Sequence, residues 1–522
     1  MSVRGSGSRP GHRLRETRFA SVYKVITLFG GVLLSKVFGL LRELALAYSF
    51  GTSFVADAFR VALSAILIPT HLLTGEALFS AFVPAYKRLP ESKRPQLVRV
   101  VATGLVGASL LLTVVLLLAA PVVVELLAPG FSAVAATTCA RILRVAAVGV
   151  ILYAVSALLI NIQVAHDSYV TYSARPTLQN LGILAAVVAA YVWQAPALLG
   201  LGFVAAFLVL AIWSLIETSR AGLGVGQVFR ISLDLLGPET REFRRALGQL
   251  SLFVLVVQLS LVVDRIVASL TGEGGVAALD YAFFVTDSTR FLIAVPLATF
   301  ALGRLGGRDW STTSGTVERT MGVVVVATLS LSILLWSVAS DLVTVLYRRG
   351  EFEAVSTQLT TASLRGFSVG LWAATAGYFL QRVFNATLRN KEVATAGVCA
   401  LAANAALDVA LYRPLGVFGI SLATSISNAL LFFVLMWYSR LTGSVARRVL
   451  LPAVILSLLL PLLMMVSGRG LGSLVVATLL TLGLTAAVCW LWPPLRRDIA
   501  WLASRLVPRV GDATSGRRKG LE

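Results

Sequence analysis

Between Lys24 and Arg88 the chain is apolar enough to enter lipid, yet it carries Lys36, Arg42, Glu43, Asp57, Arg60, His71 and Glu76. A charge at the bilayer centre costs about 2.5–3.5 kcal/mol on insertion scales, so these groups need partners, water or a ligand. Spans that carry them line a wet, charged cavity suited to a polar cargo. Ser35, Lys36, Arg42 and Glu43 lie close together on the first span. Lys36 and Arg42 are about 120° apart around a helix, and Arg42 is nearer the face of Ser35 and Phe38. Cations facing a cavity would hold a phosphate or pyrophosphate, which arginine does with a fixed fork of donors. The competing reading is an Arg42–Glu43–Asp57 network that locks helices together.

Each remaining polar residue has two readings. Asp57 follows the turn Phe50-Gly51-Thr52-Ser53. It is either a gate residue pairing with Arg42 or Arg265 or a solvated carboxylate at a helix start. Glu76 adjoins Gly75, which loosens a helix; it relays protons or holds a cation, or makes a structural hydrogen bond. His71 is a pH sensor or a plain hydrogen-bonding group. Asp264 and Arg265 form the later counterpart of Arg42 and Glu43. Asp287 and Arg290, three apart, bridge along one helix face or line the cavity. Asn404 and Asp408 share a face four residues apart, and Thr424 follows on the next span. These oxygens suit Na⁺, a hard cation, or an interhelical hydrogen-bond cluster.

The elements that must position these groups follow from composition. Of 522 residues, 57% are hydrophobic and 13% charged, against about 25% charged in soluble domains. A polytopic membrane protein is the class that fits. Cys139, Cys399 and Cys489 lie far apart, so neither a disulfide nor structural zinc is expected. With about 20 apolar residues per span, the expected fold is all-α with about 14 transmembrane helices: 22–48, 54–85, 97–127, 133–162, 168–193, 197–218, 243–271, 276–303, 318–346, 355–386, 392–411, 415–439, 447–467 and 471–493. With the N-terminus inside, the inner segments hold about 32 Lys and Arg and the outer segments five. The net charge of +20 is thus a topology signal that favours anionic membrane lipids as neighbours and argues against nucleic acid. No Walker GxxxxGK[ST] and no HExxH occurs, so an ATP-driven motor on this chain is excluded.

Polar residues also repeat. Arg42 and Arg265 differ by 223 positions, as do Asp57 and Asp280; Asn180 and Asn404 differ by 224. Gly130-Phe131 recurs about 221 residues later as Gly350-Glu351-Phe352. Two copies of a six-helix unit are expected, related by a pseudo-two-fold axis along the membrane normal. The expected organisation is a basic cytoplasmic tail (1–21), an N-lobe (22–219), a cytoplasmic linker (220–242), a C-lobe (243–440), two further spans (441–495) and a basic cytoplasmic tail (496–522).

Leu34-Ser35-Lys36-Val37-Phe38-Gly39-Leu40-Leu41-Arg42-Glu43 resembles the opening motif of the MurJ/MviN lipid II flippases, in the multidrug/oligosaccharidyl-lipid/polysaccharide exporter superfamily. The likeness continues through Ala56-Asp57-Ala58-Phe59, Glu76-Ala77, Phe79-Ser80-Ala81-Phe82-Val83-Pro84, Ala128-Pro129-Gly130-Phe131, Pro176-Thr177-Leu178, Arg349-Gly350-Glu351-Phe352 and Gly419-Ile420-Ser421-Leu422-Ala423-Thr424-Ser425. The resemblance implies fourteen spans in two lobes and a transporter rather than an enzyme. It implies flipping of undecaprenyl-pyrophosphate-linked peptidoglycan precursor across the bacterial cytoplasmic membrane, with cell-wall synthesis proteins as further candidate partners. Family cavity cations map to Lys36, Arg42 and Arg265, the second-span aspartate to Asp57, and a sodium site of some members to Asn404, Asp408 and Thr424. No other cofactor is implied. Where the family has tandem arginines in the second span, this chain has Thr70 and His71. The alternatives are a flippase for another polyprenyl-linked glycan, a cation or drug antiporter, and a non-transporting scaffold.

Overall fold

The computed structural model describes residues 10–232, 237, 240–305, 310–464 and 471–506. They form a nearly all-helical protein with seventeen α-helices, α1 to α17, and two short 3-10 turns. Over the described residues every expected apolar segment is mainly helical. The first is α1 (Pro10–Phe50). The second is broken by Gly75 into α2 (Phe54–Thr74) and α3 (Glu76–Arg88). The next two are likewise interrupted, giving α4 (Arg94–Leu118) and α5 (Ala120–Leu127), then α6 (Ala133–Ala147) and α7 (Gly149–Ala165). Then come α8 (Val170–Val192), α9 (Leu199–Arg220), α10 (Arg241–Ser269), α11 (Gly275–Leu305), α12 (Trp310–Tyr347) and α13 (Ala354–Ala386). The single element α14 (Asn390–Ser439) joins two expected spans across Gly416, whose φ of 55° and ψ of −138° break the helix. Such a backbone is open almost only to glycine. The remaining helices are α15 (Thr442–Met464), α16 (Leu471–Leu491) and α17 (Pro493–Leu506). Among the described residues seven helices are long and apolar enough to cross a membrane, or eight if the bent pair α6–α7 is one span.

The chain divides into two compact units, Met1–Ala277 with Arg349–Phe352, and Ala278–Arg348 with Glu353–Glu522. In the first, α1 packs on α8, α8 on α9, α2 on α6, and α10 on α2 and α3. Its core joins Leu78, Phe82, Leu97, Leu158, Ile162 and Phe243. In the second, α13 packs along α12 and α14 around Met321, Phe379, Phe384, Phe432 and Met436. Close approach there relies on small residues, as is usual where lipid offers no hydrophobic drive: the Gly370 amide donates to the Ser425 hydroxyl at 3.0 Å, and that hydroxyl donates to the Gly366 carbonyl at 2.7 Å. A further core of Val326, Leu456, Ala477, Val488 and Leu495 ties α15, α16 and α17 to α12.

Candidate functional site

Glu43 is the anchor of the first unit. It is 1% exposed, and two arginines from different helices converge on it. Arg42, its neighbour on α1, pairs with one carboxylate oxygen. Arg60, from the second turn of α2, meets the other at 2.5 Å. A buried carboxylate is stable only when paired and hydrogen-bonded, and two guanidinium groups satisfy that need. Arg42 also donates to Asn180 Oδ1 at 2.9 Å. Asn180, on α8, in turn donates to the carbonyl of Ser35 at 2.9 Å. The Arg42 side chain is 19% exposed and that of Arg60 9%. Arg42 is therefore the more accessible of the two guanidinium groups and Arg60 the more enclosed. Lys36, Asp264 and Arg265 are half-buried on α1 and α10.

Asp57 lies elsewhere in this network. It is 2% exposed and accepts from the backbone amides of Gly274, at 2.6 Å, and Ala277, at 2.7 Å, where α11 begins. Glu273 returns the favour, accepting from the Phe54 amide at the start of α2 at 2.9 Å. Each helix start is thus capped by a carboxylate from the other, satisfying amides that have no partner within their own helices. Asp57 therefore serves as a cap in this conformation, neither solvated nor paired with Arg42. Two further turns are held by bonds to distant helices. The Gly130 amide donates to the Ser269 hydroxyl at 3.2 Å, and the Glu351 amide donates to the Tyr48 carbonyl at 2.9 Å.

Arg175 sits within α8, 4.3 Å over the Tyr153 ring. His71 faces the same ring, 6.3 Å between centroids. Thr70 is buried and donates to the Ile66 carbonyl of its own helix. The Glu76 side chain lies outside the described residues.

In the second unit, Asp287 and Arg290 bridge at 2.6 Å on α11. Arg290 and Arg382 both approach Tyr378, at 5.9 and 4.9 Å from its centroid, a cation–π arrangement. On α14, Asp408 is 0% and Asn404 4% exposed. The Asn404 amide nitrogen donates to Asp408 Oδ2 at 2.8 Å. Thr424 lies on the second half of the same element, beyond the Gly416 break, with its hydroxyl on the Ile420 carbonyl at 3.2 Å. The structure thus joins Asn404 and Asp408, while the Thr424 hydroxyl makes its bond within its own helix. Among the described residues no cluster of three His, Cys, Asp or Glu suits a transition metal.

Arg60, Arg175 and Arg382 are the cations that sequence reasoning left without a role. Arg60 stood in the charged stretch, but its partner is 17 residues away on another helix, a distance that spacing cannot resolve. Arg175 and Arg382 contact aromatic rings, for which no sequence pattern exists.

The sequence pattern of the family described as "Lipid II flippase MurJ" matches residues 46–487. A probable lipid II flippase MurJ of Rhizobium tropici is 28% identical over 439 residues, covering 80% of this chain and 81% of its own. One from Synechocystis is 24% identical, covering 85% and 84%. A solved lipid II flippase MurJ in an inward closed conformation superposes with a TM-score of 0.79 at 17% identity, covering 91% of this chain and all of its own. An inward-facing multidrug-resistance MATE transporter of the MOP superfamily reaches 0.59 at 15% identity, covering 81% and 99%. The match over most of the chain, on a fold built of apolar helices with charges held inside, places this protein in the MurJ lipid II flippase family of membrane transporters, which are not enzymes.

Proposed function

We propose that this chain carries lipid II, an undecaprenyl-pyrophosphate-linked peptidoglycan precursor, from the inner to the outer leaflet of the bacterial cytoplasmic membrane by alternating access. The observation that carries the reading is the Arg42–Glu43–Arg60 cluster. A pyrophosphate is a stronger acceptor for a guanidinium fork than one shared carboxylate. Arg42, the more exposed of the pair, turns toward the headgroup while Arg60 keeps Glu43 neutralised. Lys36 and Arg265 add charge, so that the pyrophosphate crosses without the full cost of desolvation. The lipid tail stays in the bilayer. In the second unit Arg290 and Arg382 offer a further cationic surface around Tyr378.

The reciprocal caps of Asp57 and Glu273 close the end of the bundle where α2 and α11 start, which the positive-inside pattern assigns to the outside. On that reading the chain ends lie in the cytoplasm. Na⁺ held by Asn404, Asp408 and Thr424 biases the conformational equilibrium, since any ligand that prefers one state shifts the population toward it. The membrane potential adds about 2.3 kcal/mol per charge per 100 mV.

The test is translocation of labelled lipid II in proteoliposomes. Arg42→Ala is expected to slow it at least tenfold while leaving the protein folded, and an unchanged rate would remove the anion-clamp mechanism. Wild-type protein that moves a different pyrophosphate-linked glycan and fails to replace a depleted lipid II flippase in cells would assign the same mechanism to that glycan. Thr70 and His71, in place of the family's arginines, are the observation that favours this second reading.

A further inference from the structure

Away from the Arg42 cluster, the end of the second unit where α12 and α15 begin and α16 ends holds a cavity of about 470 Å³. It is lined by Glu318 and Arg319 of α12, Ser444, Arg447 and Arg448 of α15, and Pro494, Arg497 and Asp498 of α17. Three of these groups build its wall. Arg448 bridges Glu318 at 2.8 Å and Asp498 at 2.6 Å, and Asp498 is 4% exposed. Arg448 also fixes the chain connection, since the Trp492 indole donates to its carbonyl at 2.9 Å. These contacts consume both carboxylates of the cavity.

The other three arginines are spared. Arg319 is 3.9 Å from Asp498, a distant contact, and lies 5.5 Å over the Trp501 ring. Arg447 and Arg497 are exposed. Their Nε atoms donate to carbonyls of their own helices, Gly443 and Pro493, each at 3.3 Å. Among the described residues neither has a carboxylate within ion-pair distance. Four arginines against two carboxylates leave an excess of two positive charges in one concave site. That excess, with planar donor forks on two facing helices, matches a phosphate group in charge and geometry. Trp492, bonded to the Arg448 carbonyl, and Trp501, under Arg319, lie at this end of the bundle, as aromatic residues do at the level of lipid headgroups. The basic loops place the same end on the side where anionic lipids attract cations.

We infer that this cavity binds a phosphate anion, presented on the headgroup of an anionic phospholipid or free in solution, at a site separate from the cargo cluster. The inference does not rest on which glycan is carried. Its test uses wild-type full-length protein in phosphatidylcholine nanodiscs. Phenylglyoxal modification of Arg447 and Arg497 is followed by peptide mass spectrometry, with exposed Arg496, outside the cavity, as the internal reference. Adding phosphatidylglycerol to the disc is expected to slow modification of Arg447 and Arg497 several-fold and leave Arg496 unchanged, identifying a lipid phosphate. The same selective protection by inorganic phosphate in pure phosphatidylcholine discs, at matched ionic strength, identifies a soluble one. No protection by either probe overturns the inference, and so does equal protection of Arg496, which marks a general surface potential. In a second measurement, Arg447→Gln/Arg497→Gln is expected to abolish whatever rise in melting temperature the effective probe gives the wild type.

Discussion

At the scale of single residues, the decisive arrangement is one carboxylate between two guanidinium groups. Glu43 is so well covered that its charge has no recourse to water. Removing one partner of a buried ion pair costs about 3–5 kcal/mol, whereas replacing the whole pair by apolar groups is often neutral. Glu43→Gln is therefore expected to lower the melting temperature in detergent sharply, and Glu43→Gln/Arg60→Met to recover most of the loss. An unchanged melting temperature for Glu43→Gln would mean that the cluster contributes nothing to folding. The same scale shows where sequence reading runs out. Arg42, Glu43, Asp57, Asn404 and Asp408 were found because an ionisable or amide group in an apolar run is conspicuous. The Arg42–Glu43 and Asn404–Asp408 pairs were legible as well, but the partners of Asp57 and Arg175 were not, because Asp57 binds backbone amides and Arg175 a ring face, and neither kind of partner stands out in a sequence.

Between elements, the informative contacts are at helix starts and turns. Asp57 and Glu273 exchange caps, so losing one charge weakens the hold between α2 and α11. Replacing a charged cap costs about 1 kcal/mol. Asp57→Asn should thus speed hydrogen exchange at the Gly274 and Ala277 amides roughly fivefold, with amides in α8 as the reference; equal rates would exclude the capping role. Glycine turns differ in what they face. Gly222 and Gly350 both have positive φ, 67° and 59°, and any side chain there meets about 1–2 kcal/mol of left-handed strain. Around Gly222 there is open space, while a Cβ on Gly350 would collide with the Tyr48 carbonyl. Gly350→Ala is expected to reduce melting temperature clearly more than Gly222→Ala, and equal reductions would show that the close approach is unimportant. Helix positions were legible because apolar length is a strong signal. The break at Gly75 follows from the freedom of glycine noted in the sequence, while the break at Ala119 within a single apolar run was less legible, since hydropathy does not register a local change of direction.

Over the whole molecule, transport needs a free-energy difference between states, and a ligand supplies it only through unequal affinity. The fully buried Asp408, bonded to Asn404, is the carboxylate of the proposed Na⁺ site. At a concentration 100 times its dissociation constant, a ligand bound only by the folded state stabilises it by about 2.7 kcal/mol. Sodium chloride is therefore expected to raise the melting temperature of the wild type above that in equimolar choline chloride, and Asp408→Asn to erase the difference. A wild type indifferent to that exchange would leave the membrane potential as the driver. The repeat in the polar residues was also readable without coordinates, and the two turn contacts give it a meaning. Gly130 reaches Ser269 and Glu351 reaches Tyr48, so the glycine turn of each proposed copy is seated on the opening helix of the other. An ancestral chain of half this length could have completed both seats only by pairing with its twin, as symmetric dimers do. By the same logic, the two proposed halves expressed as separate chains should each stay soluble in detergent only when co-expressed, and halves soluble when expressed alone would remove the idea.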